Sequence, residues 1–138
     1  MIKKVVIDTN VLVSAAFLHP GSKPSKILEL ALSNKLEVYF SYAITAEYKT
    51  VLYRPKFKFN PETLDLWLEC LTEKGHVFNP VSSTITFTDE SDRKFYDTAK
   101  ACGAYLITGN IRHYPNETFI LTPAQFLVLL EKNNNEVT

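Results

Sequence analysis

The segment Lys3–Ile7 turns apolar side chains to both of its faces, through Val5, Val6 and Ile7, and then stops at an acid, Asp8. A strand that is apolar on both faces belongs in a sheet covered on both sides, which favours a parallel sheet between layers of helix. Further short strands are expected at Leu36–Phe40, His76–Phe78, Tyr105–Thr108 and Thr118–Leu121. Helical segments alternate with them. Asn10 suits the cap of a helix over Val11–Leu18. Pro24 suits the first turn of a second helix, whose apolar side is Ile27, Leu28, Leu30, Ala31 and Leu32. Ser41 caps a third helix, which carries Glu47 and ends near Arg54-Pro55. Asn60-Pro61 opens a fourth, with Leu64, Trp67, Leu68 and Leu71 at helical spacing and a stop at Gly75. Ser91 caps a fifth over Asp92–Cys102, stopped by Gly103, and Pro123 starts a last one that runs through Leu130. This alternation predicts an α/β protein: a three-layer α/β/α sandwich, Rossmann-like, around a central, mostly parallel sheet. Residues 1–132 are expected to form one domain, and the polar stretch 133–138 a flexible tail.

Composition narrows the functional classes. Hydrophobic residues make up 46% of the 138 and charged residues 22%, a globular balance. No apolar run is long enough to span a bilayer, and the first apolar stretch is too short for a secretory signal, so a cytoplasmic protein without a membrane partner is expected. Cys70 and Cys102 fall inside predicted helices and are read as reduced core residues. His19, His76 and His113 lack zinc-like spacing. Formal net charge is zero, which argues against a strong non-specific nucleic-acid binder. The charge is unevenly spread: Arg54, Lys56 and Lys58 make a basic cluster, whereas Thr72–Asp97 leans acidic. No glycine-rich phosphate loop occurs.

Three acids stand where the pattern calls for a covered side chain. Asp8 ends the apolar strand, Glu47 shares a helical stripe with Ile44, Tyr48, Val51 and Leu52, and Asp92 shares one with Phe95, Tyr96, Ala99 and Cys102. A buried carboxylate needs a cation, a basic partner or a raised pKa. In an open parallel sheet, functional groups gather at the carboxyl ends of the strands, where these three acids are expected. Asn110, which follows the strand Tyr105–Thr108, would face the same cleft as a possible additional ligand. Thr9, Asn10 and Thr108 are polar neighbours that would orient the acids. Oxygen ligands of this kind suit Mg²⁺ or Mn²⁺, and such an ion promotes hydrolysis of a phosphodiester.

The segments VVIDTNVLVSA, AEYKTVLYRPKF, DESDRKFYDTA and YLITGNIRHYP, in this order and spacing, resemble a PIN-domain protein. The likeness is to the branch grouped as toxin components of bacterial toxin–antitoxin pairs, and it runs from Ile2 to about Leu130. It implies a compact PIN-like α/β/α fold and an Mg²⁺- or Mn²⁺-dependent endoribonuclease acting on single-stranded RNA. It also implies a homodimer and a small antitoxin partner. The family's three acids fall on Asp8, Glu47 and Asp92. Many PIN nucleases carry a fourth acid after the late strand, and this chain has Asn110 there. An amide ligates through its carbonyl without adding negative charge, which raises a second reading: a PIN-fold RNA- or protein-binding module that is catalytically weak or inactive. Asp97, five residues past Asp92, lies well round the helix from the site, and Asp89 would reach it only from the preceding loop.

Plainer roles compete at each position. Asp8 also suits a helix cap, Glu47 an ion pair with Lys49 or Arg54, and Asp92 a helix N-terminus. Asn110 also suits a turn after Gly109. Arg54, Lys56, Arg112 and His113 are candidate RNA contacts, or solvated charges on loops. Trp67, Tyr48, Tyr96 and Phe95 are read as core. A phosphatase of the haloacid-dehalogenase kind would need a second acid two residues after Asp8, where Asn10 stands.

Overall fold

A computed structural model describes residues 2–137, with side chains described through 133. Five parallel strands form one sheet: β1 (Lys3–Ile7), β2 (Leu36–Phe40), β3 (His76–Val77), β4 (Tyr105–Ile107) and β5 (Ile120–Leu121), in the order β3-β2-β1-β4-β5. Register is set by pairs such as Val5 with Val38 and Ile7 with Ile107. Val5, Val6, Ile7, Leu106 and Ile107 have no exposed surface, so the two central strands are covered on both faces. Burying side chains of this size contributes about 1.5–3 kcal/mol each, which makes β1 and β4 the spine of the fold.

Among the described residues six α-helices flank the sheet: α1 (Thr9–Phe17), α2 (Lys23–Leu32), α3 (Tyr42–Leu52), α4 (Pro61–Lys74), α5 (Arg93–Cys102) and α6 (Pro123–Val137). The chain steps from β1 outward to β2 and β3, then returns past β1 to β4 and β5. With right-handed crossovers, connections made before and after that reversal lie on opposite faces of the sheet. Accordingly α5 packs across β1, β2 and β4, whereas α2 packs on β2, α1, α4 and α6. Ile27, Leu28 and Ala31 of α2 and Phe95, Tyr96 and Ala99 of α5 fill the two interlayer spaces.

Several helix ends match their sequence cues. Ser22, Ser41 and Asn60 accept backbone N–H bonds at the starts of α2, α3 and α4. Gly103 ends α5 with φ of 67°, the left-handed region that favours glycine. Gly75 ends α4 for a different reason, since a Cβ there would lie 2.4 Å from the Leu71 carbonyl and 2.7 Å from the Phe40 ring.

Three ends differ from the sequence reading. The first helix begins at Thr9, and Asn10 does not cap it; its side chain bonds across to the loop after β4. A 3-10 turn, Glu90–Asp92, precedes α5, and its cap is Asp89, not Ser91: the Asp89 carboxylate accepts the Ser91 N–H at 2.9 Å. The helical backbone of α6 continues past Leu130 to Val137, so the expected tail begins inside a helix, while Thr138 lies outside the described residues. Cys70 and Cys102 are free thiols. Among the described residues no helix is long and apolar enough to cross a membrane.

Candidate active site

The strand order reverses between β1 and β4, and the carboxyl ends of those strands are where such sheets open a crevice. Asp8 leaves β1 at this point and Thr108 leaves β4 beside it. The Thr108 hydroxyl donates to Asp8 Oδ2 at 2.9 Å, and the Tyr114 hydroxyl donates to the same oxygen at 2.7 Å. Asn10 braces this junction: its Oδ1 accepts the Gly109 N–H at 2.9 Å and its Nδ2 reaches the Thr108 hydroxyl at 3.4 Å. Asp8 is 5% exposed. Burial pushes its pKa up against the pull of the Tyr114 and Thr108 hydrogen bonds, and the charge of Glu47 adds to the rise.

Asp92 enters from the turn before α5. Its pKa is raised to about 6, first by burial and then by the charges of Asp8 and Asp89, with His113 opposing and Glu47 adding a smaller push. Its Oδ2 is buried without a hydrogen-bond donor, and the exposed His113 imidazole lies beside it, with Nδ1 3.6 Å away. Glu47 enters from α3. The Thr9 hydroxyl donates to its Oε2 at 2.6 Å, and the Lys94 ammonium meets its Oε1 at 2.6 Å. The mutual repulsion in these shifts places Asp8, Glu47 and Asp92 within reach of one another's fields. A second tyrosine lies under the site: the buried Tyr48 hydroxyl donates to the Ile7 carbonyl, and burial with the charges of Asp8 and Glu47 keeps it protonated. Tyr114 is likewise kept protonated, by burial and the Asp8 charge, so it remains a donor.

The sequence-predicted residues fall into two groups. Asp8, Glu47, Asp92, Thr9, Asn10, Thr108 and His113 are brought together at this cleft. Asn110 stands at its rim, exposed; its backbone N–H donates to the Thr108 hydroxyl at 3.0 Å. Arg112 is exposed beside His113. Arg54 and Lys56 are exposed around the turn Pro55–Phe57, and among the described residues neither forms an ion pair. Glu47 pairs with Lys94 and not with Lys49 or Arg54. Tyr114 and Lys94 are the participants that sequence reasoning missed. Tyr114 sits 106 residues from Asp8, in a loop without periodicity. For Lys94 the signal was its place two residues after Asp92, at the start of a helix already assigned to the site.

Asp8 and Asp92 fit a divalent cation. One oxygen of Asp8 is fixed by two hydroxyl donors, an oxygen of Asp92 is buried without a donor, and both acids hold their protons more tightly than usual because they are buried and lie near other carboxylates. Glu47 in this arrangement already has a cation, Lys94. Among the described residues no three His, Cys, Asp or Glu side chains are gathered closely enough to hold a metal as they stand.

A parallel sheet with acids at its switch point is an arrangement in which α/β proteins place their ligand and reaction sites. The family model described as PIN domain matches residues 4–112, and the chain belongs to the PIN-domain family. It is also similar to an uncharacterized protein of Methanocaldococcus jannaschii, 34% identical over 110 residues that span 78% of this chain and 70% of that protein. PIN domains are generally nucleases and typically use divalent metal ions.

Proposed function

We propose that the chain is a metal-dependent endoribonuclease that cleaves phosphodiesters of single-stranded RNA in the cytoplasm, as the toxin of a toxin–antitoxin pair. One observation carries the reading: acids from β1, α3 and the turn before α5 come to one edge, and in two of them, Asp8 and Asp92, burial and then the charge of neighbouring acids destabilise the ionised form. An acid cluster with too little positive charge is the resting form expected of a site that takes a cation. Asp8 and Asp92 would hold Mg²⁺ or Mn²⁺, with Glu47 as a third ligand once freed, and the exposed Asn110 amide at the rim would reach the ion through a bound water. The ion would supply the positive charge that offsets the phosphoryl oxygens and makes water acidic enough to attack near neutral pH.

The chain's own groups set the stage for that chemistry. Thr108 and Tyr114 hold the Asp8 carboxylate in one orientation by binding a single oxygen, which leaves the other without a side-chain donor among the described residues. Asn10 ties the two strand ends together, joining Asp8 to the start of the loop that carries Asn110, Arg112 and His113. His113 and Arg112 stand where an RNA strand would pass the acids, and Arg54 and Lys56 offer a further basic contact. A homodimer and a small antitoxin covering the cleft belong to the same reading.

The test is cleavage of an end-labelled single-stranded RNA by the purified chain with Mg²⁺, with Mn²⁺ and with chelator. Cleavage with either ion is expected. Asp8→Asn should lower the rate by on the order of 10²–10³-fold or more, because it removes charge where the phosphoryl group is stabilised. Failure to cut RNA with any divalent metal overturns the enzyme reading. The alternative, a PIN-fold binding module with little or no catalysis, is favoured by Asn110 and by the Lys94 hold on Glu47. RNA binding without cleavage would select it.

A further inference from the structure

Glu47 differs from its two partners in the cleft. Among the described residues Asp8 has no basic partner and Asp92 only the exposed imidazole of His113, 3.6 Å from its Oδ2, whereas both oxygens of Glu47 are engaged. Lys94 sits two residues after Asp92, in the first turn of α5. Its ammonium lies against Glu47 Oε1, donates to the Ser91 carbonyl, and is 5.2 Å from the Phe95 ring centroid. The side chains of Lys94 and Glu47 are only 20% and 21% exposed. An ion pair covered to this degree is screened less than a surface pair, so a divalent ion that seeks Glu47 must displace the ammonium. A cavity of about 310 Å³ opens beside Lys94, walled in part by Ser41, Asn79 and Arg93, and gives solutes a route to it.

We propose that Lys94 is a displaceable counter-ion that keeps Glu47 out of the metal's ligand set until a phosphate of the substrate strand draws the ammonium away. A lysine suits this exchange. It is a compact charge on a flexible stem, and its N–H donors serve a carboxylate or a phosphate equally. With Lys94 on the phosphate, Glu47 joins Asp8 and Asp92 around the ion. RNA and metal then bind cooperatively, and linkage requires the effect to be reciprocal: RNA tightens metal binding as much as metal tightens RNA binding. The free protein would hold its ion weakly and the loaded one firmly, which ties metal loading to the presence of substrate. This role rests on the nuclease reading.

The experiment is Mn²⁺ binding to the full chain, followed by the paramagnetic resonance of free Mn²⁺. It compares the wild type, Lys94→Met, Glu47→Gln and the double variant, each with and without a 2′-O-methyl oligonucleotide recovered intact afterwards. Lys94→Met should tighten Mn²⁺ binding in the absence of oligonucleotide by about tenfold, within the usual range of coupling between sites. The gain should vanish when Glu47→Gln is added. The oligonucleotide should tighten Mn²⁺ binding to the wild type severalfold and to Lys94→Met hardly at all. Circular dichroism checks folding, and Lys94→Gln replaces the methionine variant should that one fail to fold. Unchanged or weaker Mn²⁺ binding in the folded variant overturns the role of Lys94, as does a gain that survives Glu47→Gln. If neither the wild type nor any variant binds Mn²⁺, the metal-dependent nuclease reading falls together with it.

Discussion

Two acids of the α5 region, Asp92 and Asp97, are both shielded from solvent, and each keeps one buried oxygen without a hydrogen-bond donor. They differ in company. Asp97 accepts the Ser83 N–H at 2.9 Å, and Arg93 donates to the Ser83 carbonyl and hydroxyl at 2.8 and 2.9 Å, so acid, serine and guanidinium close a loop. Arg93 is tied in turn to Glu90. Asp92 faces Asp8, Asp89 and Glu47 with the His113 imidazole opposing them, and burial together with those charges lifts its pKa to about 6. Burial alone therefore does not mark a functional acid. An acid that shares a serine with a guanidinium fastens a loop, whereas an acid buried among other acids is left wanting a cation.

The strongest way to break this contrast is to remove each acid in turn. Asp92→Asn should lower RNA cleavage by on the order of 10²-fold or more. Asp97→Ala should leave cleavage within about twofold, yet destabilise the fold by about 1–3 kcal/mol by stranding the Ser83 N–H. Stability should also move in opposite directions. The pKa of Asp92 is higher in the folded chain than in the unfolded one, so its stabilising effect is complete below about pH 4 and is lost as pH rises through about 6. Metal-free Asp92→Asn should then melt above the wild type at pH 8, by roughly a few degrees, and level with it near pH 4. Thermal melts in chelator across that range check both signs. Equal losses of cleavage in the two variants would dissolve the distinction.

How much of this was open to reading in the chain depends on the range of the interaction. Strands, helices and most stops follow from local pattern, and Asp8 is marked because it ends a strand apolar on both faces. The expected positions of Glu47 and Asp92 follow from helix phase once a parallel sheet is assumed. Partner choice does not. Tyr114 reaches Asp8 through a loop whose path no periodicity fixes, and Glu47, for which Lys49 and Arg54 are the candidates along the chain, meets Lys94 instead. Local chemistry also misled where two polar groups competed. Asn10 would cap α1 in isolation, but the Gly109 N–H, delivered by β4, claims its carbonyl oxygen. Asp89 takes the capping role assigned to Ser91 because its carboxylate accepts both the N–H and the hydroxyl of that residue.

A milder effect sharpens the contrast through pH. A divalent ion must displace any proton held by its carboxylates. Mn²⁺ affinity should therefore be flat above about pH 7 and decline as pH falls through about 6, where Asp92 takes up its proton. Asp8 adds to the decline, since its pKa is raised too. Calorimetry in buffers of different ionisation heat should register proton release on Mn²⁺ binding at pH 6 and little at pH 8. Asp97→Ala should leave that profile in place. A profile that stayed flat down to pH 5 would place the ion away from Asp92.

The smallest expected effect concerns Asn110, where an acid would extend the like-charged side of the comparison. Its side chain is exposed, in contrast to Asp8, and solvent and salt screen charges at such positions. Asn110→Asp should therefore tighten Mn²⁺ binding only about threefold at low ionic strength, and the gain should fade in about 0.5 M salt, as a long-range charge effect does. A direct ligand behaves differently, because a carboxylate in contact with the ion is not screened away. A gain of a hundredfold that persists in salt would mean that the ion lies at the rim against residue 110. The amide would then be what holds this chain below full activity, and the binding-module reading would gain at the expense of the nuclease. A small, salt-sensitive gain leaves the deep pair, Asp8 and Asp92, as the seat of the ion.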